Sequence, residues 1–216
     1  MWSSKVFIHP WIGKRYKNPK YFKERTLVLG ESNFTQPENF NKNLVIRCVE
    51  DDINIHGENR DTTGFCRFST KIRRVIFGRD ESIGPEGLWS DVSFYNFIQM
   101  LVGDKSRMRP TQEMWNNSIP AFTEVIETLQ HQRILVLGKQ NWKNLIKNLE
   151  IEPQNEYSST LNHGNLSVKI GYIKHPSTSL SYNEWNPIAQ RLLFNYNSTT
   201  ARNRGLSRNF LGCRSS

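Results

Sequence analysis

Apolar positions along the chain fall into short runs and helical stripes separated by polar stretches. Thr26–Gly30 (TLVLG) and Arg133–Gly138 (RILVLG) are unbroken apolar runs that end in glycine, the pattern of strands buried on both faces. Asp91–Phe97 (DVSFYNF) is the second strand in chain order, and Leu166–Ile173 alternates as a fourth. Phe65, Phe68, Ile72, Val75 and Ile76 recur at helical spacing, with Gly78 placed to end that helix. Phe122, Val125, Ile126 and Leu129 form another stripe, in a region that Thr111 opens and Pro120 restarts. Asn141 is positioned to cap a helix bearing Trp142, Leu145, Ile146 and Leu149, and Ser181 one bearing Trp185, Ile188, Leu192 and Leu193.

Between these elements the pattern predicts long connections at 35–64, 79–90 and 150–165. In the first, Glu50, Asp51, Asp52, Glu58 and Asp61 surround His56. A calcium loop starting at Asp52 would put Thr63 where a glutamate is needed, so a solvated acidic loop is the expectation. Strands alternating with helices predict an α/β fold: a three-layer α/β/α sandwich with a central, mainly parallel four-stranded sheet. One domain over 1–196 and a basic, flexible tail over 197–216 complete the expected organisation.

Composition narrows the partners. The net charge is +9, which favours a polyanion and most often nucleic acid. Residues 1–25 alternate seven cationic side chains with Trp11, Tyr16, Tyr21 and Phe22. That mixture suits phosphate contact with stacking, and equally a surface strap whose aromatics join the core. No apolar run reaches membrane-spanning length and no secretory leader stands out, so a cytoplasmic protein without a membrane partner is expected. Cys48, Cys66 and Cys213 are too few and too scattered for a four-cysteine iron–sulfur cluster or a metal site. No cofactor and a monomer are the corresponding expectations.

Three polar clusters end strands: Glu31, Ser32, Asn33 and Phe34 after the first, Asn96 within the second, and His175-Pro176-Ser177 after the fourth. Ligands of open α/β sheets sit at the carboxyl ends of strands. A carboxylate placed there is costly unless it is paired or used. Taken in order, the clusters resemble the uracil-DNA glycosylase superfamily, over roughly residues 26–195. Ile173–Ser181 (IKHPSTSLS) is similar to its His-Pro-Ser loop, which is followed by a leucine that enters the duplex.

The resemblance implies a monofunctional DNA glycosylase that flips a pyrimidine and hydrolyses its N-glycosidic bond, leaving an abasic site. Glu31, His175 and Asn33 are the implied catalytic residues. Ser32, Phe34, Phe65, Phe68 and Asn96 would line the base pocket. Ser177, Leu180, Ser181 and Lys139 would contact DNA, with Leu180 as the wedge. The chain departs from the family pattern at Ser32, where many members carry the aspartate or asparagine that positions water. It also lacks the proline-tyrosine barrier after the first motif. That departure points away from plain uracil, toward a bulky modified cytosine such as the glucosylated hydroxymethylcytosine of phage DNA, and so toward defence as well as repair.

Two other classes compete. One is a catalytically inactive nucleic-acid-binding module on the same fold. The other is a hydrolase of nucleosides or nucleotides, including a serine hydrolase built on Ser32 and His175. No Walker-type phosphate loop and no GxSxG elbow occurs in the chain, which weighs against the latter.

Overall fold

The computed structural model describes residues 1–55, 63–103 and 108–195. Its frame is a mixed six-stranded sheet in the order β1-β4-β2-β6-β8-β7. The strands are β1 (Trp11–Ile12), β2 (Thr26–Gly30), β4 (Val92–Asn96), β6 (Arg133–Leu137), β7 (Ser158–His163) and β8 (Leu166–Ile173). The inner four, β4-β2-β6-β8, are parallel, and β1 and β7 run antiparallel at the edges. A separate two-stranded parallel ribbon pairs β3 (Asn33–Phe34) with β5 (Leu101–Gly103).

The four-stranded expectation is therefore corrected to six strands in a mixed sheet. Both extra strands lie where apolar alternation is thin. β1 is two residues long inside the basic amino-terminal segment. β7 reads SSTLNH and lies within 150–165, expected to be loop; only its alternate residues, Ser159 and Leu161, are buried. An edge strand can be nearly all polar when its partner supplies the apolar face.

Six α-helices are described: α1 (Leu44–Asn54), α2 (Gly64–Phe77), α3 (Pro85–Asp91), α4 (Gln112–Leu129), α5 (Lys139–Asn148) and α6 (Tyr182–Phe194). They cover both sheet faces. A Cβ on Gly171 of β8 would fall 3.1 Å from Leu192 of α6, whereas Tyr172 stacks on Trp142 of α5 at 5.6 Å between ring centres. Phe94 of β4 meets Phe65 and Phe68 of α2, and Phe97, just past that strand, packs on Trp115 and Phe122 of α4. Residues of β2, β4 and β6 are consequently all buried.

Helix ends follow local chemistry. The Thr63 side chain accepts the Cys66 amide at 3.1 Å to start α2, and Gly78, at φ 74°, ends it. Thr111 caps α4 in the same way, through Met114 N–H at 3.2 Å. Pro120 lies inside α4 rather than restarting it, since the helix runs through. Asn141 does not cap α5: Gly138 holds that position, and the Asn141 side chain turns inward to donate to Leu29 O at 3.4 Å. Ser181 stands at the cap position of α6 without a side-chain cap bond.

Two expected loops contain helices. Residues 35–64 hold a short 3-10 turn (Pro37–Asn39) and α1, and 79–90 hold most of α3. The acid run was misleading because Asp52 is not solvated. It is fully buried and accepts from Ser69 Oγ at 2.5 Å and Trp89 Nε1 at 2.7 Å. His56, Glu58, Asp61, Cys213 and the 197–216 tail lie outside the described residues.

The amino-terminal segment is a strap fastened to the sheet. Trp11 Nε1 donates to Trp89 O at 2.6 Å, Arg15 pairs with buried Asp91 at 2.7 Å, and Arg133 pairs with Glu24. The Tyr16 hydroxyl meets His131 Nδ1 at 2.5 Å; burial, with Arg25 nearby, holds the His131 pKa down to about 3. Tyr16 and Phe22 are core residues, so the packing alternative holds for these aromatics.

Candidate functional site at the strand ends

Parallel pairing aligns Gly30 of β2 with Asn96 of β4. The alignment leaves no room for a side chain at position 30, since a Cβ there would fall 1.9 Å from Asn96 Oδ1. The Asn96 Nδ2 donates to Asn33 Oδ1 at 2.7 Å, and both residues are buried. Ser32 Oγ and Asn33 Nδ2 are buried with no hydrogen-bond partner among the described residues. Orphaned polar atoms at a strand end are unusual in a pure structural corner and suit a site that takes a polar ligand. Gly30→Ala is expected to push the Asn96 amide off Asn33 and to cost about 1–3 kcal/mol of stability, read by urea unfolding. Unchanged stability would show that this corner yields easily.

Glu31 follows directly. Its main chain is fixed, with its carbonyl accepting the Ile98 amide at 2.9 Å. Burial pushes its carboxyl pKa up, and the Arg109 guanidinium, 3.4 Å from both oxygens, works in the opposite direction. The Glu31 side chain is 11% exposed and that of Arg109 68%, so the arginine joins a sheltered carboxylate to solvent. Arg109 is the residue the sequence did not single out. The ribbon of β3 and β5 carries the chain after residue 100 back across the Glu31 loop, and no local signal announces a two-residue strand. The nearby basic residues Lys105 and Arg107 lie outside the described residues.

His175 stands past the end of β8, across β6 from Glu31. Gly138, which follows β6 at φ 104°, holds a backbone conformation that favours glycine, and a Cβ there would press on the His175 side chain at 3.3 Å. Ser177 N–H donates to His175 Nδ1 at 3.2 Å, and Ser177 Oγ lies 2.6 Å from the same nitrogen. An Nδ1 that accepts leaves the proton of a neutral ring on Nε2. Burial, then the charges of Arg109 and Lys71, lowers the His175 pKa. One guanidinium thus favours an ionised Glu31 and a neutral His175 together.

Phe68 completes the wall, 5.7 Å from the His175 ring and 6.3 Å from Phe94, whose ring a Cβ on Gly30 would meet at 3.7 Å. Phe65 is half-buried like Phe68 and stacks on Trp89 at 6.0 Å. Phe34 is exposed, Lys139 is the exposed first residue of α5, and Ser181 is exposed. Leu180 is half-buried and packs against the core.

The structure therefore gathers Glu31, Asn33, Asn96, Phe68 and His175 with Ser177 at the carboxyl ends of four adjacent strands. It gives no support to a Ser32–His175 dyad: Ser32 Oγ lacks a partner and Nδ1 is taken by Ser177. Two surface grooves lie elsewhere, one lined by Phe122, Leu149 and His163, the other by Tyr157, Lys169 and Arg191. Among the described residues no group of three His, Cys, Asp or Glu is placed to hold a metal, and no helix is long and apolar enough to cross a membrane. Cys48 is half-buried and Cys66 is buried. Set beside known proteins, the chain matches no protein-family model and no curated protein.

Proposed function

We propose that the chain is a monofunctional DNA glycosylase on a three-layer, uracil-DNA-glycosylase-like sandwich, acting on a flipped pyrimidine. The observation that carries this reading is the convergence of a sheltered carboxylate, a base-reading amide, a neutral imidazole and an aromatic face at one set of strand ends. In the reaction the bond from C1′ to the base nitrogen breaks and its electron pair leaves with the base. Positive charge develops on the sugar and negative charge on the base. Glu31 as a carboxylate stabilises the first and orients the water whose oxygen bonds to C1′. His175 Nε2–H donates to the base oxygen as charge gathers there. One water proton passes to Glu31 and on to solvent, and the departing base takes a proton from solvent.

Asn96 offers a donor pair and an acceptor to a pyrimidine edge. One of its donor hydrogens is held by Asn33, while Oδ1 has no hydrogen-bond partner among the described residues. Phe68 supplies a stacking face, and the +9 net charge suits a polyanionic substrate. The substrate we favour is a modified cytosine.

The test is to incubate the protein with duplexes carrying uracil, hydroxymethylcytosine or glucosylated hydroxymethylcytosine, then break abasic sites with alkali. Strand breakage on at least one of them is expected. His175→Ala is expected to slow release by about a hundredfold or more while leaving DNA binding intact. Tight, salt-sensitive binding without breakage on any of the three would favour the non-catalytic module instead.

A further inference from the structure

The described residues expose five large hydrophobic side chains: Met1, Phe7, Ile12, Phe34 and Met108. Three belong to the amino-terminal strap. The other two meet at the mouth of the candidate site. Phe34 pairs with Gly103 across the register shift of the β3–β5 ribbon, and side chains of paired residues project from one face. Met108 fills the place a side chain on Gly103 would take, since a Cβ there would fall 2.1 Å from its sulfur. Phe34 and Met108 thus form one apolar lip, 41% and 43% exposed.

Its surroundings indicate what covers it. The residue before Phe34 is Asn33, which holds Asn96, and the residue after Met108 is Arg109, which reaches Glu31. An apolar pair with a guanidinium at its base matches a nucleobase stack, flat and apolar inside and bounded by phosphates. Proteins that open a duplex insert phenylalanine, leucine or methionine in this way.

We propose that Phe34 and Met108 are the wedge that enters a DNA duplex and fills the gap left by the extruded nucleotide, with Arg109 beside the flanking backbone. Leu180, the expected wedge, is packed against the core. The inference rests on the glycosylase reading for the extrusion itself, so the test uses DNA with no base to release.

The probe is a duplex holding one tetrahydrofuran abasic residue flanked by 2-aminopurine, compared with the intact duplex by fluorescence anisotropy. The wild type is expected to prefer the gapped duplex and to quench the 2-aminopurine. Phe34→Ala is expected to weaken binding to the gapped duplex by about tenfold, the worth of one aromatic–base stack, with intact-duplex binding unchanged. Met108→Ala should show a smaller loss of the same kind, and Phe34→Trp should keep the preference. A wild type with no preference, or a Phe34→Ala variant that retains it, overturns the wedge. So does loss of the preference in Leu180→Ala instead. Base release is read separately, so the two ideas fail independently. Gap preference lost with Phe34 but no release on any substrate would sink the glycosylase reading alone.

Discussion

Glu31→Gln is expected to lower base release by about a hundred- to ten-thousand-fold, measured on whichever duplex the wild type cleaves. The substitution keeps shape and removes only the charge that would face the forming sugar cation. The pH profile carries the more specific information. Activity needs the Glu31 carboxylate, so it falls as pH drops through a pKa that burial has raised. Arg109 opposes that rise at 3.4 Å. Arg109→Ala therefore lets the Glu31 pKa climb further and moves the acid limb to higher pH. His175 responds in the same sense, because burial, Arg109 and Lys71 all hold its pKa down and removing one of them lets it protonate earlier. A steric role for Arg109 would lower the plateau and leave the limb where it was. Arg109→Lys should restore part of the shift, since a point charge supplies attraction without the planar fork. An acid limb that stays put in Arg109→Ala would remove Glu31 and His175 from the rate-determining ionisations.

The largest stability effect is expected at Asp91. Its side chain is fully buried, pairs with Arg15 at 2.7 Å and accepts the Tyr21 amide at 2.5 Å. Asp91→Ala leaves the half-buried Tyr21 amide unpaired and a guanidinium without its counter-charge. Breaking a buried pair costs about 3–5 kcal/mol; the Arg15 side chain is 32% exposed and can rehydrate, which places the loss near the lower end. About 3 kcal/mol corresponds to a melting temperature lower by about 6–12 °C for a domain of this size. Asp91→Asn, which keeps an acceptor for Tyr21, should lose less. Equal melting temperatures for Asp91→Ala and the wild type would mean that the other fastenings, Trp11 to Trp89 and Glu24 to Arg133 among them, hold the strap without this pair.

Much of the frame was legible because its strands are buried on both faces. TLVLG and RILVLG carry no polar interruption, and they form the strands expected, β2 and β6, with Gly138 at φ 104° just past the second. Helix α2 was legible through a stripe that Thr63 and Gly78 bracket. Helix α1 was hidden for a specific reason. Its inward positions are Val45, Val49 and Asp52, and the third is a carboxylate whose partners, Ser69 and Trp89, are distant in the chain. A buried acid with remote donors looks like a solvated one in sequence. Helix α3 was masked by the glycine and proline around it. The site divided along the same line. Glu31, Asn96 and His175 follow or end strong strands and could be named in advance. Arg109 reaches Glu31 beside a two-stranded ribbon that brings its segment to the loop, a contact set by tertiary pairing alone.

The strand order β4-β2-β6-β8 has a consequence for how the chain acquires competence. Asn96 and Glu31 come to lie side by side as soon as β4 docks on β2, early in synthesis. His175 arrives only when β8, the last of these four strands in the sequence, closes against β6. The amide that would read a base and the carboxylate that would hold the water are assembled before the imidazole that would help to expel the base. On the proposed reading, a chain cut short before β8 would bind without His175 to help the base leave.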